Sequence, residues 1–338
     1  MTSDLFAPAP GLRILVEGSR DARRHFCAEY GAALDRGTGP PAIADVRVTF
    51  GNARDRAVAE RGRGGHKTVG WSVTLGEPAV HPLTVRIGLS GRPRRFALSL
   101  VQGFVVEPLV SMAAARAGLV LLPAGALVVS GGAVILLGRS GVGKTSVVAR
   151  VLAAGRPALG DDQVLLDGKG AVYPWPRRLR VYPDMRVTAP AAVRRLPRGR
   201  RVALGGLGVL RAATRGWVAP SLALQWRELG AEPVPGPLPA RRVVVLERSG
   251  SADAIVAEAL TGDAVGALAR EILREQRARF AALAGPRWST SLAEAEQREQ
   301  ALLAPVLAAL PAERWTVPVT WSPATAVGAL ATRLGVEG

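Results

Sequence analysis

Ala133-Val134-Ile135-Leu136-Leu137-Gly138-Arg139-Ser140-Gly141-Val142-Gly143-Lys144-Thr145 decides how the chain is read. Its first five residues are an unbroken apolar run of strand length. The next eight fit the spacing G-x-x-x-x-G-K-[ST] at every fixed position, and the apolar pattern that follows predicts a helix from Thr145 to Ala154. Strand, glycine-rich turn and helix N-terminus together form an anion cradle. Glycines let the backbone wrap closely round an anion where a side chain would collide, and main-chain N–H groups and the helix start then face it. In such a loop Lys144 neutralises β and γ phosphate oxygens, while the Thr145 hydroxyl joins a Mg²⁺ shell. Gly138, Arg139, Ser140, Gly141, Val142, Gly143, Lys144, Thr145 and Ser146 are therefore the expected nucleotide-binding set. The motif does not separate kinase from ATPase or GTPase, nor ATP from another nucleotide.

Downstream, Pro157 to Leu159 leads into Gly160-Asp161-Asp162 and the apolar run Val164 to Leu166, which reads as a strand. The order is then strand, loop, helix, strand, the setting in which a phosphate loop works. Two adjacent carboxylates at a strand end can divide labour, one meeting Mg²⁺ and the other accepting a proton from an incoming hydroxyl.

These residues resemble the catalytic domain of the HPr kinase/phosphorylase family, a bacterial P-loop group structurally akin to phosphoenolpyruvate carboxykinase. The likeness is carried by the strand Val134 to Leu137, the loop Gly138 to Thr145, the helix to Gly155, and Gly160-Asp161-Asp162 with its following strand. It covers residues 119 to 170 and weakens toward 247. The segment Tyr173-Pro174-Trp175-Pro176-Arg177 looks like HPr-kinase-related proteins found beside peptide-modification genes. The resemblance implies an α/β architecture with a P-loop kinase domain of HPr kinase/phosphoenolpyruvate carboxykinase type at 118–338, behind a smaller mixed β-rich N-terminal domain at 1–117. It also implies an ATP- and Mg²⁺-dependent Ser/Thr kinase acting on a protein or peptide, with a ribosomal precursor peptide among the acceptors. Asp161 would be the base, Lys144 a catalytic partner, and Thr145 and Asp162 the metal ligands. Three departures narrow this. Pro123 stands where the family has a histidine, Ser146 stands where a glutamate usually follows the loop hydroxyl, and the later Asn/Pro/Gly/Arg signature has no counterpart. Phosphorolysis and an HPr substrate are accordingly not expected. The same departures keep open a different class, a nucleotide-gated protein that binds a peptide or partner without phosphorylating it.

Composition sets the remaining bounds. The chain has 338 residues, 48% of them apolar, enough to bury a core. Its net charge of +17 rests on arginine, since Lys67, Lys144 and Lys169 are the only lysines. Such a charge attracts an acidic peptide, a nucleotide, a nucleic acid or an anionic surface. The excess peaks between Arg177 and Arg215, where eleven arginines face one acid, Asp184. Arginine's planar fork suits carboxylate and phosphate, although a solvated basic loop gives the same composition. A nucleic-acid-associated ATPase would explain the charge too, but no nucleic-acid module is recognised. His25, His66 and His81 lack metal-ligand spacing, and the single Cys27 excludes an internal disulfide. Met1 to Pro10 has no apolar signal core, and Pro123, Gly125, Gly131 and Gly132 divide the apolar run 117–137 into two expected strands. A cytoplasmic protein with no membrane partner, compatible with a homo-oligomer, is the expectation.

Further along, alternation predicts strands at Leu12–Glu17, Asp45–Phe50, Thr68–Leu75, Leu83–Leu89, Arg94–Leu100 and Arg241–Glu247, with an edge strand at Trp315–Trp321. Helical spacing predicts helices at Asp21–Leu34, Glu107–Ala117, Leu292–Leu310 and Pro323–Leu334, and one within Ser251–Phe280 through Val265, Leu268, Ile272 and Leu273. Residues 52–67 and 173–220 read as loops.

Overall fold

The computed structural model describes residues 2–36, 43–51, 61–231, 234, 236–250 and 253–336. The chain divides into two compact units. Unit 1 is Met1–Leu121 with Leu165–Gly168 and Leu268–Pro305; unit 2 is Leu122–Val164, Lys169–Ala267 and Val306–Gly338. The division is thus not a single cut after residue 117. By recruiting residues 268–305 the first unit approaches the second in size, and it is mixed α/β rather than mainly β.

Unit 1 opens with strands β1 (Ser3–Ala9) and β2 (Leu12–Glu17), helix α1 (Arg20–Tyr30), and strands β3 (Val46–Phe50), β4 (Arg61–His66), β5 (Val69–Leu75) and β6 (Leu83–Gly91). They form one sheet in the order β1-β2-β3-β6-β5-β4, parallel at β2–β3–β6 and antiparallel elsewhere. The alternating burial of β3 and β5 is the pattern of strands with one face on a core. Ser19 caps α1 by accepting from the Ala22 N–H. Two expectations fail here. Residues 61–66 pair with β5 as a strand rather than a loop, while 52–60 lie outside the described residues. Arg94–Leu100 is helical: α2 (Arg94–Val101) buries Ala97, Leu98 and Val101, a three-to-four-residue spacing that a short apolar run disguises as a strand. A π turn at Gln102–Val106 joins α2 to α3 (Glu107–Arg116). The continuous helix Arg94–Arg116 is long and apolar enough to cross a membrane by length and composition, yet most of it is buried within the protein.

Unit 2 is built on a sheet in which the strands at 124–129 and 132–137 carry no polar side chain. Three strands replace the expected two: β7 (Leu119–Leu122), β8 (Ala124–Val129) and β9 (Gly132–Leu137), the last two a hairpin turning at Ser130-Gly131. After β9 come α4 (Lys144–Ala153), β10 (Ala158–Gly160), β11 (Val164–Asp167), β12 (Ala171–Pro174) and β13 (Leu179–Val181). Helices α5 (Met185–Thr188), α6 (Pro190–Arg195) and α7 (Arg198–Ala213) occupy the stretch expected to be loops, followed by β14 (Leu222–Leu224), which pairs with β13. Helix α7 escapes sequence reading because it buries only Leu204 and so has no apolar stripe. Strand β15 (Leu238–Ser249) then runs parallel to β9, and β16 (Val256–Ala259) precedes a helix that starts at Gly262 and carries the expected Val265, Leu268, Ile272 and Leu273. That helix is α8 (Gly262–Ala284), which with α9 (Ser289–Ala309) belongs mostly to unit 1, whereas β17 (Ala312–Pro318) and α10 (Pro323–Arg333) belong to unit 2. Strand β17 is not at an edge: it lies between β15, parallel, and β16, antiparallel. Helix α4 packs into a core formed with Leu136, Val244, Val327 and Leu330.

Residues 268–305 anchor to unit 1 through a buried ion pair. Arg277 donates to Glu299, and both side chains are almost fully buried. The Ser111 hydroxyl on α3 accepts from Arg277 at 2.8 Å and donates to Glu299 at 3.0 Å. Removing one partner leaves an uncompensated buried charge, typically about 3–5 kcal/mol. Glu299→Ala should therefore lower the denaturant midpoint of unit 1 by that free energy, read by urea unfolding. A change below about 1 kcal/mol would be what a surface pair gives.

Candidate functional site

Strand β9 delivers the chain to the site. It is buried throughout, held by β8 on one side and β15 on the other, and Leu137 pairs with Val245 at its end. The chain then turns through Gly138–Gly143 before α4 begins at Lys144. Two glycines are required. At Gly138 an added Cβ would lie 2.5 Å from the Leu246 carbonyl oxygen, and Gly143 caps the helix at a φ of +107°. The Lys144 side chain folds back over this turn, donating to the Gly138 carbonyl and, at 3.0 Å, to that of Arg139. It is buried, and burial lowers its pKa against the pull of Asp162 and Asp161.

The acids arrive by strand pairing. β10 pairs with β8 at Ala158↔Leu127 and Gly160↔Ala126, which carries the next residue, Asp161, to the mouth of the loop. Gly125 admits this approach, because a Cβ there would come within 3.0 Å of the Asp161 carbonyl oxygen. Asp161 is buried, and its Oδ1 has no hydrogen-bond partner. Burial and then the charge of Asp162 raise its pKa from the ordinary 3.8 to about 7, against a hydrogen bond from Thr145 and the charges of Lys144 and Arg177. Asp162 points outward, 61% exposed, with its Oδ2 3.5 Å from Arg177 Nη1.

These groups line one cavity of about 450 Å³. Ser140, Gly141, Gly143, Lys144, Thr145, Ser146, Asp161 and Asp162 are all in its wall. Of the remaining expected residues, Gly138 lies buried under the loop, Arg139 contributes its carbonyl to Lys144, and the Val142 side chain packs toward the core. Ser146 lines the cavity, but its hydroxyl is hydrogen-bonded to that of Thr188 at 3.0 Å. Pro123 precedes β8 and is not among the lining residues.

The rest of the wall was only coarsely legible in the sequence. Arg177, Arg178, Arg180 and Arg211 also line the cavity, with Tyr182 and Gln163. The density of arginine in this stretch marks the region, but nothing in the spacing singles out Arg211, which reaches the wall from the end of α7. Trp175 is 2% exposed and is also among the lining residues. Among the described residues no cluster of three His, Cys, Asp or Glu side chains suits a metal held by protein alone.

A magnesium–triphosphate group fits these residues on two observations. Gly141, at a φ of +87°, has open space beside it in the cavity wall, and an orphaned, buried carboxylate oxygen sits beside a threonine hydroxyl and a lysine. A Mg²⁺ bound jointly by phosphate oxygens would not need three protein carboxylates or imidazoles. No family model and no curated protein matches the chain, so the reading of the site rests on this geometry.

Proposed function

We propose that the chain is an ATP- and Mg²⁺-dependent kinase of HPr-kinase type, transferring the γ-phosphoryl group to a Ser or Thr hydroxyl of a protein or peptide, a ribosomal precursor peptide included. The observation that carries this reading is the meeting of Lys144, Thr145 and the buried Asp161 in one cavity whose wall also includes Arg177, Arg178, Arg180 and Arg211. An ATPase needs only the first three of these. A kinase also needs somewhere for its acceptor, and the arginines supply it.

In this reading the loop N–H groups, the start of α4 and Lys144 hold the phosphate chain, and Thr145 and Asp162 hold Mg²⁺, which supplies charge neutralisation at the phosphates. Asp161, ionised, accepts the proton of the acceptor hydroxyl. The acceptor oxygen forms its bond to phosphorus as the bond to the ADP oxygen breaks, so the balance is ATP and alcohol to ADP, phosphoester and a proton. Arg177 pairs with Asp162 at 3.5 Å and lines the same cavity. Positioning and charge stabilisation provide most of the rate in such transfers.

One observation favours the second reading, a nucleotide-gated binder. The position after the loop hydroxyl is a serine and offers no carboxylate, and its hydroxyl is hydrogen-bonded to that of Thr188. Incubation with γ-labelled ATP, Mg²⁺ and Ser-containing acidic peptides separates the two. Label on peptide supports the kinase. Nucleotide uptake by calorimetry with no label on any peptide supports the binder, and absence of magnesium-dependent uptake removes both.

A further inference from the structure

The arginine wall continues outward into a surface with its own character. Helix α7 leaves nearly all of its side chains in solvent, with Val202 69% and Val209 71% exposed and seven residues apart on one face. Leu210 is also exposed, as is Trp217 at 64%, and Tyr182 and Val187 complete the group. Six of the ten exposed large apolar side chains among the described residues thus fall between 182 and 217. The overlapping stretch Arg177–Arg215 carries eleven arginines against one acid. It joins the cavity through the chain itself, because Arg211 follows Leu210 and Ala219 comes two residues after Trp217, and both line the wall.

We propose that this surface is the docking site for an acidic peptide segment that also carries apolar side chains, seated along α7 and Trp217 and leading its hydroxyl residue into the cavity. The inference rests on the kinase reading for what happens next, but not for the docking itself. Charge complementarity selects the occupant. A second copy of this chain, at net +17, would oppose arginine with arginine. Nucleic acid would satisfy the arginines and leave the valines, Leu210 and Trp217 with little to bury against, since such interfaces are polar and phosphate-dominated. A peptide alternating carboxylates with aliphatic side chains satisfies both kinds of group within one short segment, each carboxylate forming charge-assisted hydrogen bonds to arginine.

Fluorescence anisotropy without nucleotide tests the docking. The probe is a labelled peptide of Glu and Leu with one Ser, compared with a Gln-for-Glu version, a Ser-for-Leu version, single-stranded DNA and vesicles containing anionic lipid. The expected result is that either peptide change weakens binding by about tenfold or more, as do Arg198→Glu and Val209→Asp in the protein, with Mg·ATP affinity unaltered. DNA or vesicles bound as tightly as the peptide, or peptide binding indifferent to both protein variants, would overturn the proposal. Transfer of label to the bound peptide is scored separately. Docked peptide without label leaves the docking site standing and removes the kinase reading, whereas labelled peptide whose binding ignores α7 does the reverse.

Discussion

Asp161→Asn is expected to lose phosphoryl transfer by roughly 10²–10⁴-fold and yet to melt higher than the parent protein at pH 8. Both effects come from one carboxylate. Asp161 is buried beside Asp162 with one oxygen unsatisfied, and those surroundings raise its pKa from 3.8 to about 7. The folded protein therefore binds this proton more tightly than the unfolded chain does. Stability from that difference is fully present below pH 3.8 and is lost as pH rises through 7, where the folded state must hold a buried anion. The cost at pH 8 is at most about 4 kcal/mol. Asparagine is neutral at every pH and nearly the same shape, so it escapes this cost and loses only the ability to take a proton. Thermal melts in EDTA should show the variant higher by roughly 3–8 °C at pH 8, with the gap closing toward pH 4. ATP binding, which draws on the loop and Lys144, should be largely spared. Turnover of the variant within about tenfold of the parent would remove Asp161 as base. A melting gap that does not change with pH would show that burial of the charge is not what destabilises the parent.

The region that dictates its own conformation was legible in the sequence. From β9 through the glycine turn into α4, the chain needs an apolar run, glycines at Gly138 and Gly143, and a lysine and hydroxyl at a helix start. All are local properties. Strands β2, β3, β5 and β6 were legible for a similar reason, since one buried face imposes alternation. What escaped was set by distant partners. Helix α7 is exposed on almost every side, so no apolar period marks it, and β17 becomes an interior strand only because β16 covers it. The parallel neighbour of β9 is β15, a hundred residues later, and not the strand after α4. The site divides along the same line. Lys144, Thr145 and the two aspartates could be named from spacing, whereas the burial of Asp161 and the arrival of Arg211 depend on β10 pairing with β8 and on the packing of α7's far end.

Lys144→Ala should weaken Mg·ATP binding by about 10²-fold or more, a loss of roughly 3 kcal/mol for a charge-assisted contact to phosphate. The ammonium is already desolvated in the protein, and its pKa is lowered by burial. Among the described residues, the carbonyls of Gly138 and Arg139 and the nearby aspartates offset that cost. A phosphate chain in the turn would give this ammonium a stronger partner than two neutral carbonyls, so binding energy should concentrate there. Removing it should not unfold unit 2, because the stem ends a helix whose packing lies with Val147, Val148, Val151 and Leu152. Lys144→Met tests that separation by keeping the apolar stem and deleting the charge. Both variants should melt near the parent and both should lose calorimetric uptake of Mg·ATP. Binding within about threefold of the parent in both would mean that the turn does not hold the phosphates. Loss in Ala but not in Met would assign the effect to packing of the stem rather than to its charge.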